Sequence, residues 1–314
     1  MSRAIRYAPF LVFFAAMLWA TDAPFRLHLT ESLSSNFIVL GEHFFDVLVV
    51  LPVLFTSRLA IRRLTYCEWA AIIVIAVGGS ALASVAFTEA FRYVNPSVAI
   101  LLQKLQPLIA IGLAGPLLKE TRSRRFWLFA AVALFGAYLI SFPGLWPQTY
   151  AGEAWNPNIV GVLLALGAAA LWGASTVLGK YVLAAADFKL MTALRFAVAF
   201  LFLLLLNWQQ HSFPAFGALT GTDILFIAII AMVSGAVSLF IYYKGLTHTK
   251  ASVATLAELG FPLAAVVVNW IFLGDSLSPM QLLGMAVLLV AVFHLAKTDR
   301  AAVATEALGD AHGF

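Results

Sequence analysis

Three ionisable residues stand close together in one apolar stretch of the sequence, at Glu42, His43 and Asp46. Glu42 and Asp46 are four residues apart, so their carboxylates share one face if the stretch is a helix. Two carboxylates this close in a low dielectric do not easily ionise together, and histidine titrates near neutrality. The cluster therefore predicts a site that exchanges protons or contacts a polar ligand.

Two prolines, Pro107 and Pro262, interrupt other apolar stretches shortly after polar residues. Proline lacks an N–H and clashes with the carbonyl four residues back, which belongs to Gln103 or to Glu258. We expect each helix to kink there and to free that backbone oxygen. With Lys104 beside the first kink, the pattern predicts a polar binding site. The alternative is that both prolines are merely tolerated and that Lys104 and Glu258 neutralise each other.

Two tryptophans, Trp19 and Trp172, lie well inside apolar stretches, and Asp22 follows the first by three residues. An indole ring can stack on a ligand ring or on a cation, so both are candidates for lining a cavity, with Asp22 in its outer part. Plain packing is the equal alternative for both tryptophans.

The composition indicates the elements that must position these residues. Hydrophobic residues make up 62% of the chain, charged residues only 11%, and the mean hydropathy is +0.95. Soluble domains have roughly 45–50% apolar and about 25% charged residues. The lipid bilayer is the solvent that accepts such a chain, as helices of about 20 apolar residues. We predict an all-α integral membrane protein.

Long apolar runs separated by proline, glycine and charge predict ten transmembrane helices. The predicted spans are 8–25, 37–56, 68–88, 97–118, 126–146, 159–182, 190–208, 222–243, 251–273 and 278–296. The segment 298–314 is predicted to be a short, disordered cytoplasmic tail.

Lysine and arginine favour the cytoplasmic side of a membrane, and their positions fix the orientation. Only Arg26 and Arg92 fall on the outer side if both termini are cytoplasmic, while Lys104 and Arg195 lie within spans. The remaining basic residues then lie inside: Arg3, Arg6, Arg58, Arg62, Arg63, Lys119, Arg122, Arg124, Arg125, Lys180, Lys189, Lys244, Lys250, Lys297 and Arg300.

The sequence contains an internal duplication. The run AAMLWA at 15–20 resembles AAALWG at 168–173, and the same offset of 153 residues carries Glu42 onto Arg195. The run SVA followed by PL occurs near 97–108 and again near 252–263. We predict two five-helix units, 1–146 and 147–297, which an odd number of spans makes inverted repeats. Glu42 and Arg195 are then coupling or binding residues, or else a structural ion pair across the repeat axis.

These motifs together resemble the drug/metabolite transporter superfamily, specifically its EamA-type ten-helix members. The resemblance rests on the Leu-Trp-Ala/Gly pattern, the pair Arg195-Phe196, and the Ser-Val-Ala to Pro-Leu runs that end near an acidic residue, Glu120 or Asp275. It implies a carrier of small polar or amphipathic metabolites, often an exporter, with a central cavity between two halves. The first half departs from the pattern, because Glu42-His43 stands where the second half has Arg195-Phe196.

We therefore predict a secondary transporter in the bacterial inner membrane that works by alternating access. Mixed buried charges favour a small polar substrate such as an amino acid, and proton-driven export is a hypothesis. A membrane-embedded enzyme acting on lipid-linked substrates is the alternative, and a receptor or scaffold a third. The single cysteine, Cys67, and the absence of zinc-site spacing predict neither disulfide nor metal. No cofactor, nucleic acid or obligate protein partner is predicted.

Overall fold

The computed structural model describes residues 3–94, 99, 102–142, 144, 159–214, 218–273 and 278–311. All regular structure in these ranges is helical. The α-helices are α1 (Arg3–Trp19), α2 (Ala23–Thr30), α3 (Ser35–Thr56), α4 (Arg58–Arg63), α5 (Tyr66–Ile73), α6 (Ala83–Ala90), α7 (Gln106–Leu118), α8 (Arg124–Ser141), α9 (Ile159–Val182), α10 (Phe188–Gln210), α11 (Gly221–Ile229), α12 (Ser238–Thr247), α13 (Ala251–Ala257), α14 (Gly260–Leu273) and α15 (Pro279–Ala311).

Nine helical stretches within the described residues are long and apolar enough to cross a bilayer. They are Tyr7–Thr30, Ser35–Thr56, Tyr66–Ala90, Arg124–Ser141, Ile159–Val182, Phe188–Gln210, Gly221–Thr247, Ala251–Val268 and Pro279–Thr298. Each coincides with one predicted span. The predicted span at 97–118 lies partly outside the described residues, and its described part includes the short apolar helix α7.

Large apolar side chains cover the outside of the helix bundle. Leu163, Leu201 and Phe135 are all more than half exposed, and Trp208 is 74% exposed. Such a surface cannot face water over the length of many helices, whereas lipid accepts it. The protein is therefore an integral, multi-pass membrane protein.

Among the described residues, one span in each half contains a π-helical segment. Val74–Leu82 joins α5 to α6, and Ile230–Val237 joins α11 to α12. π-helical turns widen a helix and often occur at functional sites. The first segment packs against α9 and α10, and the second against α3. Each π-helical segment therefore contacts helices of the other half of the chain.

The prolines do not kink continuous helices, so that prediction was wrong. Each of the two spans is instead broken by a turn, one at Lys104 and the other at Glu258. A new helix begins directly after each turn: α7 after the first and α14 after the second. Pro107 and Pro262 lie in the first turn of the new helices, where the missing N–H has no partner to lose. The carbonyl of Glu258 is not freed, because it accepts the N–H of Phe261 at 3.0 Å.

The prediction of a disordered tail at 298–314 is wrong for residues 298–311, and residues 312–314 lie outside the described ones. Helix α15 continues to Ala311 without a break. The reason is the composition of this segment, in which alanine, the strongest helix former, recurs and the first glycine comes only at Gly309.

Candidate functional site

A central cavity lies between the two halves of the chain. Its empty space is about 1020 Å³, including the part that is open to the surroundings. Most of the predicted site residues line it: Trp19, Asp22, Glu42, His43, Asp46, Gln103, Trp172, Arg195 and Glu258. Lys104, Pro107 and Pro262 line a smaller space beside it, which we call the adjoining pocket. The structure thus brings the predicted residues of both halves together.

Arg26 is the centre of the first polar cluster in the cavity wall. Its Nη2 donates to Asp22 Oδ2 at 2.9 Å and to Glu42 Oε2 at 3.1 Å, and its Nη1 lies 2.8 Å from Glu42 Oε1. Nη1 also donates to Thr88 Oγ1 at 3.0 Å. The guanidinium, 7% exposed, compensates the two carboxylates, so the cluster combines one positive with two acidic groups.

The first span was predicted to end at residue 25, before Arg26, and this boundary was wrong. The first span continues through α2 to Thr30, which carries Arg26 into the helix bundle. Burial of the charge is tolerable because Asp22, one helical turn earlier, and Glu42 both pair with it. The spacing of four residues between Asp22 and Arg26 was the available clue to this pair.

Arg195 belongs to a second cluster, where π-helical segment Val74–Leu82 meets α10. Its Nε donates to Ser80 Oγ at 2.5 Å, its Nη1 to the Tyr243 hydroxyl at 2.7 Å, and its Nη2 to the Gly79 carbonyl at 3.3 Å. All three partners are neutral, so none of these hydrogen bonds compensates the positive charge of the guanidinium. The alternative of a Glu42–Arg195 ion pair is therefore wrong, because Glu42 pairs with Arg26 instead.

Glu258 is held by neutral donors at the break between α13 and α14. Its Oε2 accepts from Gln106 Nε2 at 2.5 Å, and its Oε1 accepts from the Tyr242 hydroxyl at 2.8 Å and from Thr176 Oγ1 at 3.2 Å. The alternative that Lys104 neutralises it is also wrong: among the described residues, no ion pair includes Lys104.

His43 and Asp46 each keep a buried atom without a hydrogen-bond partner among the described residues. His43 Nδ1 lies 2.9 Å from the Val39 carbonyl, which leaves Nε2 unpartnered. Asp46, 2% exposed, has no partner for Oδ1 and packs tightly on Gly235 of the second π-helical segment. A methyl group at Gly235 would lie 2.5 Å from that oxygen, so only glycine leaves room for the carboxylate.

Two aromatic pairs line the cavity in corresponding ways. Trp19 packs on Tyr242 with ring centroids 5.3 Å apart, and Trp172 packs on Phe87 at 5.2 Å. The tryptophan of each half therefore meets an aromatic ring of the other half. Both pairs offer faces on which a flat ligand can stack.

Several wall residues were not nominated from the sequence, or only weakly. Gln106, Thr176 and Ser80 are ordinary polar residues in apolar helices, with nothing in their spacing that distinguishes them. Tyr242 also lines the cavity, although it stands near the end of a predicted span.

The two halves also match a known family in sequence. Residues 6–142 and, separately, 159–296 match the EamA-like transporter family. The chain belongs to the EamA-like transporter family. It is thus a membrane transporter, as the drug/metabolite transporter resemblance predicted, and the duplication into two units is confirmed.

Named relatives of this EamA-like protein are transporters. Riboflavin transporter ImpX of Fusobacterium nucleatum is 30% identical over 294 residues, 92% of this chain and 97% of that protein. The uncharacterized transporters YwfM and YvbV of Bacillus subtilis are both 29% identical, over 64% and 58% of this chain and 64% and 61% of their own lengths. A solved crystal structure has the same fold, with a TM-score of 0.73 at 14% identity over 93% of this chain and 97% of that one.

Proposed function

We propose that this transporter carries a small amphipathic metabolite with a flat ring system, of which a flavin is the leading candidate, through the central cavity. The observation that carries the proposal is the pair of aromatic contacts, Trp19–Tyr242 and Trp172–Phe87, in one cavity with polar clusters. A ring stacks on the aromatic walls while its polar substituents bond to those clusters. The relationship to a protein named as a riboflavin transporter supports the same substrate class.

An amino acid is the second candidate substrate. The cavity wall holds both charge signs. Among the described residues, Arg195 is hydrogen-bonded to neutral groups and Asp46 Oδ1 has no hydrogen-bond partner. A zwitterion presents one carboxylate and one ammonium group to such a wall. Tryptophan combines a zwitterion with a large flat ring and therefore fits both features.

Transport by alternating access is proposed from the relationship between the halves. Inverted repeats allow two conformations that exchange the roles of the halves. Two features support this arrangement: each half has one π-helical segment, and each half places its tryptophan on a ring of the other. We place the protein in the bacterial inner membrane with both termini in the cytoplasm, working as an exporter.

The substrate proposal is tested with purified protein in proteoliposomes. Riboflavin flux, with tryptophan flux as the second arm, is measured for the unmodified protein and for Trp172→Ala. We expect the variant to lose most of the flux, because base-like rings gain about 1–3 kcal/mol from each aromatic stacking partner. Trp208→Ala is the matched control, since Trp208 lies on the lipid-facing surface. No flux of either compound, or equal loss in both variants, would contradict the proposal.

Proton coupling is proposed for the group Glu42, His43 and Asp46. Two unpartnered atoms, His43 Nε2 and Asp46 Oδ1, are free to take or give a proton beside the cavity. An imposed pH gradient should drive riboflavin or tryptophan flux in the unmodified protein. Glu42→Gln, His43→Ala or Asp46→Asn should uncouple that flux from the gradient, and insensitivity to both the gradient and the substitutions would exclude coupling here.

A further inference from the structure

The adjoining pocket lies where two spans are interrupted, at the start of α7 and at the start of α14. Its polar wall consists of Gln103, Lys104, Gln106, Thr255 and Glu258. It shares Gln103, Gln106 and Glu258 with the central cavity. One ligand can therefore occupy both spaces at once.

Lys104 brings a positive charge to this pocket without a negative partner. The three ion pairs found among the described residues involve other side chains, and no hydrogen bond among those residues includes the Lys104 ammonium. A charge inside a membrane span costs several kcal/mol unless it is paired or reached by water. An anionic group of the substrate would supply the missing partner of this ammonium group.

Thr255 is a second, independent sign of a missing ligand. The residue is 0% exposed, and its Oγ1 has no hydrogen-bond partner among the described residues. A buried hydroxyl without a partner is uncommon, because leaving it unsatisfied costs about 1–3 kcal/mol. Thr255 and Lys104 line the same pocket. A single anionic acceptor could therefore pair with the Lys104 ammonium and accept the hydrogen bond of the Thr255 hydroxyl.

The interrupted helices add a favourable field. α7 and α14 begin at the pocket, with Pro107 and Pro262 of their first turns in its wall. The N-terminus of a helix carries a partial positive charge that favours anions. Half-helices that start inside a membrane bind anionic substrate groups in this way in other transporters.

Glu258 limits the charge of the group that fits. Its two oxygens already accept hydrogen bonds from Gln106, Tyr242 and Thr176, so it does not need Lys104. It still stands in the pocket wall and repels a second negative charge. The balance of one cation, one hydroxyl and one carboxylate suits a singly charged anion better than a doubly charged one.

We infer that the adjoining pocket binds a singly charged acidic group of the transported molecule, with Lys104 as its cation and the Thr255 hydroxyl as its donor. The inference rests on the proposed function, since the flat part of the same molecule occupies the central cavity. A carboxylate has this single charge, and a phosphate monoester has it in its singly protonated form, below its second pKa of about 6.

The test compares ligands that differ only in the acidic group. Tryptophan against tryptamine measures the preference for a carboxylate. Riboflavin 5′-phosphate against riboflavin, at a pH of about 5, measures the preference for a singly charged phosphate. Binding to the purified protein is measured by titration calorimetry for the unmodified protein, Lys104→Met and Thr255→Val. Lys244→Met is the matched control, because Lys244 is an exposed lysine of α12 outside both spaces.

The unmodified protein should bind one acidic ligand about tenfold or more tightly than the counterpart that lacks the acidic group, as expected for charge-assisted hydrogen bonds. Lys104→Met should reduce that ratio to about one and Thr255→Val should reduce it in part, while Lys244→Met keeps it. Riboflavin binding without any acidic preference, or a ratio that survives Lys104→Met, overturns the subsite alone. Preference for tryptophan over tryptamine without flavin binding overturns the flavin and keeps the subsite. Binding of none of the four overturns both.

Discussion

Arg26 compensates two carboxylates in the wall of the central cavity. Asp22 and Glu42 are both bonded to its guanidinium, and Thr88 takes one of the remaining N–H groups. Two acidic groups in a membrane span would be costly without it. The charge therefore stabilises the arrangement on which the cavity wall depends.

Arg26→Met should destabilise the protein strongly, because it leaves Asp22 and Glu42 without their cation. Loss of one partner of a buried ion pair costs about 3–5 kcal/mol. Denaturation of the purified protein in detergent would measure this as a large shift of the unfolding midpoint. Arg92→Met is the control: its pair with Glu89 is about one third exposed, and such pairs contribute about 0–1 kcal/mol. Equal shifts in the two variants would show that the Arg26 cluster is not a stabilising one.

The sequence was enough to predict which buried residues are charged, but not which residues they pair with. Glu42, His43, Asp46, Arg195 and Glu258 were identifiable because a charge in an apolar run is conspicuous. Their partners were not identifiable, since pairing depends on which helices touch. The duplication suggested an ion pair between Glu42 and Arg195. The partner of Glu42 is instead Arg26, which belongs to the preceding span.

At the scale of elements, Glu120 ties one half of the chain to the other. It follows α7, whose last residue is succeeded by Lys119 in the left-handed conformation at φ 54°. Glu120 Oε1 accepts the N–H of Ala251 at 2.6 Å, and its Oε2 accepts the N–H and the hydroxyl of Ser252 at 3.1 and 2.5 Å. A side chain of the first half thus caps the start of α13 in the second half.

Glu120→Ala should loosen the contact between the halves and change transport as well as stability. A hydrogen bond to a charged group contributes about 1.5–3 kcal/mol to stability. The substitution removes three such bonds together. The matched control is Glu68→Ala, which removes a carboxylate that caps its own helix through Thr65. Flux in proteoliposomes should change for Glu120→Ala and remain near the unmodified value for Glu68→Ala. Unchanged flux in both would mean that this contact does not affect the exchange between states.

Helices α8 and α15 approach each other through two glycines. A methyl group at Gly284 would lie 2.8 Å from the carbonyl oxygen of Gly136 and from the backbone nitrogen of Ile140. Backbones this close use small residues for van der Waals contact, as is usual for helices in membranes.

Gly284→Ala should therefore push α8 and α15 apart and lower stability. Forcing atoms into a well-packed contact costs about 1–3 kcal/mol. Gly112→Ala is the control, because nothing lies within 4 Å of a methyl group at that position of α7. Thermal unfolding of the two variants in the same detergent measures the difference. If Gly112→Ala lowered the midpoint as much as Gly284→Ala, close packing would not be the cause.

At the scale of the whole molecule, the orientation in the membrane remains a prediction from charge. The exposed Cys67 at the start of α5 is predicted to face the cytoplasm. His211, at the exposed turn after α10, is predicted to face the outside. The two positions therefore report opposite faces.

Cys67 should resist a membrane-impermeant maleimide in intact spheroplasts and react after permeabilisation. His211→Cys, made in a Cys67→Ser background, should react before permeabilisation. Labelling followed by a mass shift on a gel measures both. The reverse pattern would invert the topology and, with it, the assignment of the inner and outer ends of the cavity.

The sequence by itself was enough to predict that this protein lies in a lipid bilayer and that it consists of two related halves. Apolar runs of span length can only be satisfied in lipid, so the number and position of nearly all helices followed from composition and spacing. The repeated motifs then identified two related halves, because each motif is local and survives in the chain order.

Only the tertiary structure decided which buried groups meet. Most sides of each helix are apolar, so hydropathy does not specify which side of a helix packs against a neighbouring helix. The pairing of Arg26 with Glu42 and of Gln106 with Glu258 follows from which helices come into contact. The same contacts leave Lys104 without an acidic partner among the described residues. The helix breaks before Pro107 and Pro262 were likewise set by packing, since proline permits either a kink or a new first turn.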